Sequence, residues 1–114
     1  MRWFKKKALE GALKKIKAGH PNGFPYLTNA LQVGADPNAH LSGGLTPLML
    51  CCFLEDGMLA AKILREYGAD PLVLDRSGSF NAIQFAQNQG CDGLAETLEM
   101  HSNVESLRSQ LLGN

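Results

Sequence analysis

Apolar residues recur along the chain at helical spacing, and the intervals between them are short and rich in glycine, proline and asparagine. Leu9, Leu13 and Ile16, with Ala12 beside them, fall at i, i+4 and i+7 and predict a helix over 3–18. Gly19-His20-Pro21-Asn22-Gly23 reads as a turn. A shorter helix over 25–33 follows, with Tyr26, Leu27, Ala30 and Leu31 on its apolar side, then an extended turn or hairpin over 34–45. Thr46-Pro47 opens the next helix, which runs to about Leu54. Threonine is a good N-cap, and proline fits the first helical position because its missing N–H has no partner there anyway. Glu55-Asp56-Gly57 breaks that helix. Met58–Tyr67 reads as its partner, with Leu59, Ile63 and Tyr67 spaced by four and Ala60 and Leu64 adjoining. The order then repeats: turn 68–79, helix 80–88, turn 89–92 and helix 93–101. A last stretch, 103–112, carries Val104, Leu107 and Leu111 at helical spacing.

A copied segment organises these elements. Gly34-Ala35-Asp36-Pro37 returns as Gly68-Ala69-Asp70-Pro71, a period of 34 residues. A period of that size points to stacked supersecondary units. Each copy closes an apolar helical stretch with glycine, which takes a left-handed conformation without steric cost, and a proline soon after prevents the helix from resuming. Asp36 and Asp70 are placed to accept bonds from N–H groups of the turn that follows. A βαβ arrangement would need β-branched runs, and three valines, three threonines and three isoleucines cannot supply them. A plain four-helix bundle accounts for the helices but not for the duplicated turns.

The central stretch resembles the ankyrin repeat family. Gly44-Leu45-Thr46-Pro47-Leu48-Met49-Leu50-Cys51-Cys52 is similar to the opening of such a repeat, with Met49 where the family usually has histidine. Ala60-Ala61-Lys62-Ile63-Leu64-Arg65-Glu66-Tyr67-Gly68-Ala69-Asp70-Pro71 is similar to its close. The match is weaker after Asp75-Arg76-Ser77-Gly78, where Phe80-Asn81-Ala82 replaces Thr-Pro-Leu, and the first unit keeps only its ending, Gly34 to Ala39. Terminal units have one face in water and must depart from the internal pattern. The resemblance implies an all-α solenoid of stacked helix pairs with protruding hairpin turns. The expected domain is single, 1–114, in units 3–39, 40–74 and 75–102 with a C-terminal capping helix over 103–112.

Composition narrows the possible chemistry. Residues 1–20 carry seven bases against one acid, while the remainder carries four bases against ten acids, so the formal net charge of zero conceals a basic front and an acidic body. Three cysteines, two of them adjacent, make no disulfide framework and fit buried thiols in a reducing compartment; no apolar run is long enough to span a bilayer and no secretory leader is recognisable, so the expected location is cytoplasmic. Cys51 and Cys52 point about 100° apart on a helix, and His20, His40 and His101 are scattered, so no metal site is expected. Asp92, opening a helix, suits an N-cap. No nucleotide-binding, hydrolase or metalloprotease motif occurs. The chain is expected to be neither an enzyme nor a cofactor carrier.

What is expected instead is protein binding. The family resemblance implies a concave surface of hairpin tips and first helices, here His40, Ser42, Leu45, Phe53 and Leu54 in the central unit, with Leu74, Arg76, Ser79, Gln87 and Asn88 in the next. Aliphatic and aromatic groups beside an arginine have the composition of a protein hot spot. Longer interhelix turns burying Phe53 and Leu54 locally is the competing expectation. Lys5, Lys6, Lys7, Lys14, Lys15 and Lys17 form a basic patch with three readings: a solvated face on a capping helix, a contact for an acidic protein, or a contact for an anionic membrane surface. Nucleic acid is disfavoured because the acidic body repels phosphate. Head-to-tail association of a basic front with an acidic body would give a homo-oligomer.

Overall fold

The computed structural model describes residues 2–100, with side chains from residue 4 onward; the expected capping helix over 103–112 lies outside the described residues. The described chain is all-helical. In order come α1 (Arg2–Lys17), α2 (Gly23–Gln32), α3 (Pro47–Leu50), a single 3₁₀ turn (Cys51–Phe53), α4 (Gly57–Glu66), α5 (Ala82–Asn88) and α6 (92–100). A further 3₁₀ turn, Ser42–Gly44, lies in the first long connection. α1 packs on α2, and α3 with its 3₁₀ extension packs on α4. Across those pairs α1 meets α3, α2 meets α4 and α3 meets α5.

One continuous core results. Leu9, Ala12, Leu13 and Ile16 of α1 are buried with Leu27, Ala30 and Leu31 of α2, as their spacing requires. Leu48, Met49 and Cys51 continue the core through the central segment, and Ala82, Ala86, Leu94, Ala95 and Leu98 extend it through the last two helices.

The duplicated turns have matching geometry. Gly34 and Gly68 take φ of 101° and 98°, and the next residue returns its N–H to the helix behind it, Ala35 to Ala30 and Ala69 to Leu64, both at 3.0 Å. The Asp36 carboxylate accepts the Asn38 N–H at 2.9 Å, and the Asp70 carboxylate accepts the Leu72 N–H at 2.9 Å. Thr46 caps α3, its hydroxyl accepting the Met49 N–H at 3.4 Å, with Pro47 at the first helical position.

Four details of the sequence reading need correction. The third helix does not run unbroken to Leu54: α3 tightens into a 3₁₀ turn at Cys51 and ends at Phe53. The helix expected over 80–88 begins at Ala82, because Asn81 and Gln84 cap each other's backbone N–H groups in a capping box. Asp92 is the first helical residue and Cys91 stands before it, its carbonyl accepting the Ala95 N–H, so Asp92 is not the cap.

The fourth correction concerns α4. Leu59 is 49% exposed and Tyr67 is exposed, while Gly57, Ala60, Ala61 and Leu64 are buried. The small residues face inward because α4 lies very close to the Cys51 backbone: a Cβ at Gly57 would run into the Cys51 carbonyl oxygen. Gly57 is therefore a packing residue as well as a breaker.

Replacing Gly57 with Ala should lower the unfolding free energy by about 1–3 kcal/mol through overpacking. Gly68→Val should cost a similar ~1–3 kcal/mol through backbone strain alone, since open space surrounds its Cβ position. Urea denaturation of both variants checks this; unchanged midpoints would mean that neither constraint exists.

Candidate functional site

The two long connections, 34–46 and 67–81, lie side by side, held by bonds between residues 30 to 34 apart. The Asn38 side chain donates to the Gly68 carbonyl at 3.2 Å and accepts the Asp70 N–H at 2.7 Å. The His40 ring nitrogen Nε2 meets the Leu74 carbonyl at 2.8 Å. At the tips, the Arg76 N–H donates to the Gly44 carbonyl at 2.8 Å. Gly44 has φ of 77°, and a Cβ there would stand 2.9 Å from the Arg76 Cβ, so only glycine permits both the bend and the contact.

Each tip is closed by its own bonds. Leu41 N–H donates to the Leu45 carbonyl at 2.8 Å in the first. In the second, the Asp75 carboxylate accepts from the Ser77 hydroxyl at 2.7 Å, the Ser79 N–H at 2.8 Å and the Phe80 N–H at 3.0 Å. These bonds, the Ser77 hydroxyl first, hold the Asp75 carboxyl below its usual range.

The first tip also docks on α1. The Ser42 N–H donates to Glu10 Oε1 at 2.6 Å. Ser42, through its hydroxyl and then its backbone, holds the Glu10 carboxyl below its usual range, and the charges of Lys14 and Lys6 add to the effect. Beside this joint lies a depression of about 170 Å³ lined by Glu10, Leu13, Lys14, Lys17, Ser42, Leu50, Phe53 and Leu54. A second one, of about 290 Å³, is lined by Lys6, Lys7, Glu10, Leu41, Ser42 and Arg76. Glu10 and Ser42 belong to both.

The structure sorts the expected partner-binding residues. Ser42, Phe53 and Leu54 line the first depression, and Ser42 and Arg76 line the second. Phe53 is 44% exposed and Leu54 is half-buried, so local burial covers the leucine more than the aromatic ring. The Phe53 ring meets Phe85 edge to face at 5.9 Å, and the Lys17 ammonium sits 5.8 Å from its centre on another side. Leu45 is half-buried against the core, contrary to its expected exposure. Leu74 is 46% exposed, and Ser79, Gln87 and Asn88 are exposed, yet none of the four lines either depression. His40 is half-buried with one ring nitrogen committed to Leu74.

The six lysines are not one patch. Lys6, Glu10, Lys14 and Lys17 follow one another at spacings of four, four and three on a single face of α1, beside the tips. Lys15 lies 5.1 Å from the centre of the Tyr26 ring on α2, and the Lys5 ammonium sits against Gly34 at the end of α2. Glu10, Leu13 and Leu50 were not expected at the site. The stripe on α1 was the signal that could have found them.

Cysteine chemistry is muted. Cys51 is buried, its thiol donating to the Pro47 carbonyl at 3.4 Å, and burial first, then neighbouring Cys52, pushes it up. Burial first, then Cys91, pushes Cys52 up to about 12. Cys91 comes from 39 residues away to donate to the Cys52 carbonyl at 3.4 Å. All three thiols are free of disulfides. Among the described residues no group of three His, Cys, Asp or Glu side chains could hold a metal, and no helix is long and apolar enough to cross a membrane.

Comparison with models of known families gives no match, and no curated protein matches the chain in sequence.

At about pH 8, Cys51 and Cys52 should alkylate at least about tenfold more slowly in the folded chain than in denaturant, because the thiolate is the reactive form. Mass spectrometry of iodoacetamide-treated protein reads this. The sign for stability follows: the folded chain keeps thiol protons that the unfolded chain releases, so this contribution is intact below the ordinary value of 9.0 and falls as pH rises from there toward 12. Equal rates in folded and unfolded protein would refute the burial of both groups.

Proposed function

We propose that this chain is a non-catalytic ankyrin-type repeat module that holds another protein against its turn tips and the adjoining faces of α1 and α3. The observation that carries this reading is the apolar depression bearing Phe53, Leu50 and Leu54, open beside two tips that are tied rigidly together. A half-exposed aromatic ring at the edge of a recessed aliphatic floor is the composition of a binding hot spot. Tips fixed in advance lose little conformational entropy when a partner arrives.

Several observations support the repeat reading. The left-handed glycines, their Asp turns and the pairing of helices recur with the 34-residue period, and the main contacts between the described helices join neighbouring pairs in the sequence order. Three cysteines without a disulfide fit a reducing, cytoplasmic setting. An anionic surface as the principal target is less well supported, because Lys15 turns toward the Tyr26 ring on α2 and Lys5 lies with Lys6 beside Gly34 and Asp36, away from Lys14 and Lys17.

A variant carrying Phe53→Ser, Leu74→Ser and Arg76→Ala should lose capture of native partners by on the order of 2 kcal/mol or more. Its stability should fall by only about 1–2 kcal/mol, since these side chains are partly exposed. Lys5→Gln with Lys15→Gln should leave capture nearly unchanged. Affinity capture from the native cell, with circular dichroism as the folding control, decides between them. Capture that survives the triple change and fails in the lysine variant would refute the proposal.

A further inference from the structure

The basic helix and the turn tips belong to one groove. The two depressions meet at the Glu10–Ser42 bond, and the surface they form has an apolar floor flanked by cations. Lys14 and Lys17 stand beside Leu50, Phe53 and Leu54, while Lys6, Lys7 and Arg76 gather at the opposite end. Glu10, between them, is the single carboxylate among the described residues that line either depression, and its charge is engaged by the Ser42 N–H. Among the described lining residues, Lys6, Lys14, Lys17 and Arg76 stand against one engaged carboxylate, which leaves the groove positive.

We propose that this groove binds an acidic peptide segment of a partner protein, seating an apolar side chain at Phe53 and Leu54 with carboxylates on both sides of it. The proposal rests on the protein-binding reading above and names the chemistry of what is bound. The cations fix the charge of the ligand, because rim charges of one sign steer and select a partner of the other. The recessed floor fixes the need for an anchor, because burying one aliphatic or aromatic side chain supplies the non-electrostatic part of the affinity. The central Glu10 fixes the pattern: it disfavours a negative charge midway and favours carboxylates at the two ends.

The same features count against other anions. A phosphate backbone would lay continuous charge across Glu10, and the Lys17 ammonium and the Phe85 ring already occupy part of the surroundings of the one aromatic ring in the groove. A bilayer requires apolar groups that protrude, whereas Leu13 is buried and Leu50 and Leu54 are half-buried in the floor.

The test is selection of a random peptide library displayed on phage against the full chain, followed by fluorescence anisotropy of the selected peptides at low and high salt. Selected peptides should carry Asp and Glu on both sides of a Leu, Phe or Trp, and lose affinity as salt rises. Lys14→Glu with Lys17→Glu, both exposed and therefore compatible with folding, should weaken binding at least about tenfold. Phe53→Ala should weaken it about tenfold, and Lys62→Glu on α4 should not change it. Peptides without an acidic excess, or indifferent to the Lys14 and Lys17 reversal, would overturn the inference; if they still need Phe53, the protein-binding reading stands. Peptides indifferent to both changes, or no selected peptide, would overturn both. Stronger binding to anionic vesicles or single-stranded DNA that survives Phe53→Ala would replace the peptide with an anionic surface or strand.

Discussion

A register of 32 residues between neighbouring segments holds the surface of this protein together. Glu10 receives the N–H of Ser42, Asn38 receives that of Asp70, and Gly44 receives that of Arg76. Each bond joins a residue to one 32 positions later, so α1, the first tip and the second tip are set in a row. Remove the register and the helices could still bury their leucines, but the tips would have no fixed relation to α1. A net hydrogen bond is worth only about 0.5–1.5 kcal/mol, so the row is maintained by several in series and not by one. The close approach it requires explains glycine at position 44, where no other residue provides both the bend and the clearance.

The core answers to a different constraint. α4 lies against the Cys51 backbone so closely that only glycine fits at position 57, and the buried side of the helix is made of Gly57, Ala60, Ala61 and Leu64 while Leu59 and Tyr67 face outward. Close packing between elements favours small residues wherever backbones approach, so burial on α4 follows clearance more than hydrophobicity. Leu59 and Tyr67 are left exposed, and neither lines the groove.

Much of the fold was legible in the sequence. The leucine stripes of α1 and α2, the left-handed glycines, the Asp turns and the Thr46-Pro47 helix start all follow from local chemistry and all lie where expected. The miss on α4 arose because periodicity counts large apolar residues and cannot weigh a close backbone approach made by small ones. The capping box at Asn81 and Gln84 has a sequence signature, a polar cap residue followed three positions later by glutamine, that sets the start of α5 at Ala82. The site was legible only in pieces. Phe53, Leu54, Ser42 and Arg76, expected at a binding surface, line the depressions; Glu10, Leu13 and Leu50 line them too but carry no local motif that marks them. Which lysines face the tips depends on the rotation of α1, which its packing on α2 and the Glu10–Ser42 bond set together.

The docking of α1 on the first tip decides whether the cations and the apolar floor form one groove, and the Ser42 amide reports on it directly. Its proton and nitrogen NMR shifts, followed during an acid titration, should move with the ionisation of Glu10, with a midpoint below the ordinary value of 4.5. Replacing Glu10 with Gln should abolish that titration while the rest of the spectrum stays folded. A Ser42 amide that does not titrate, or that follows a carboxylate of ordinary acidity, would show that α1 and the tip are not joined.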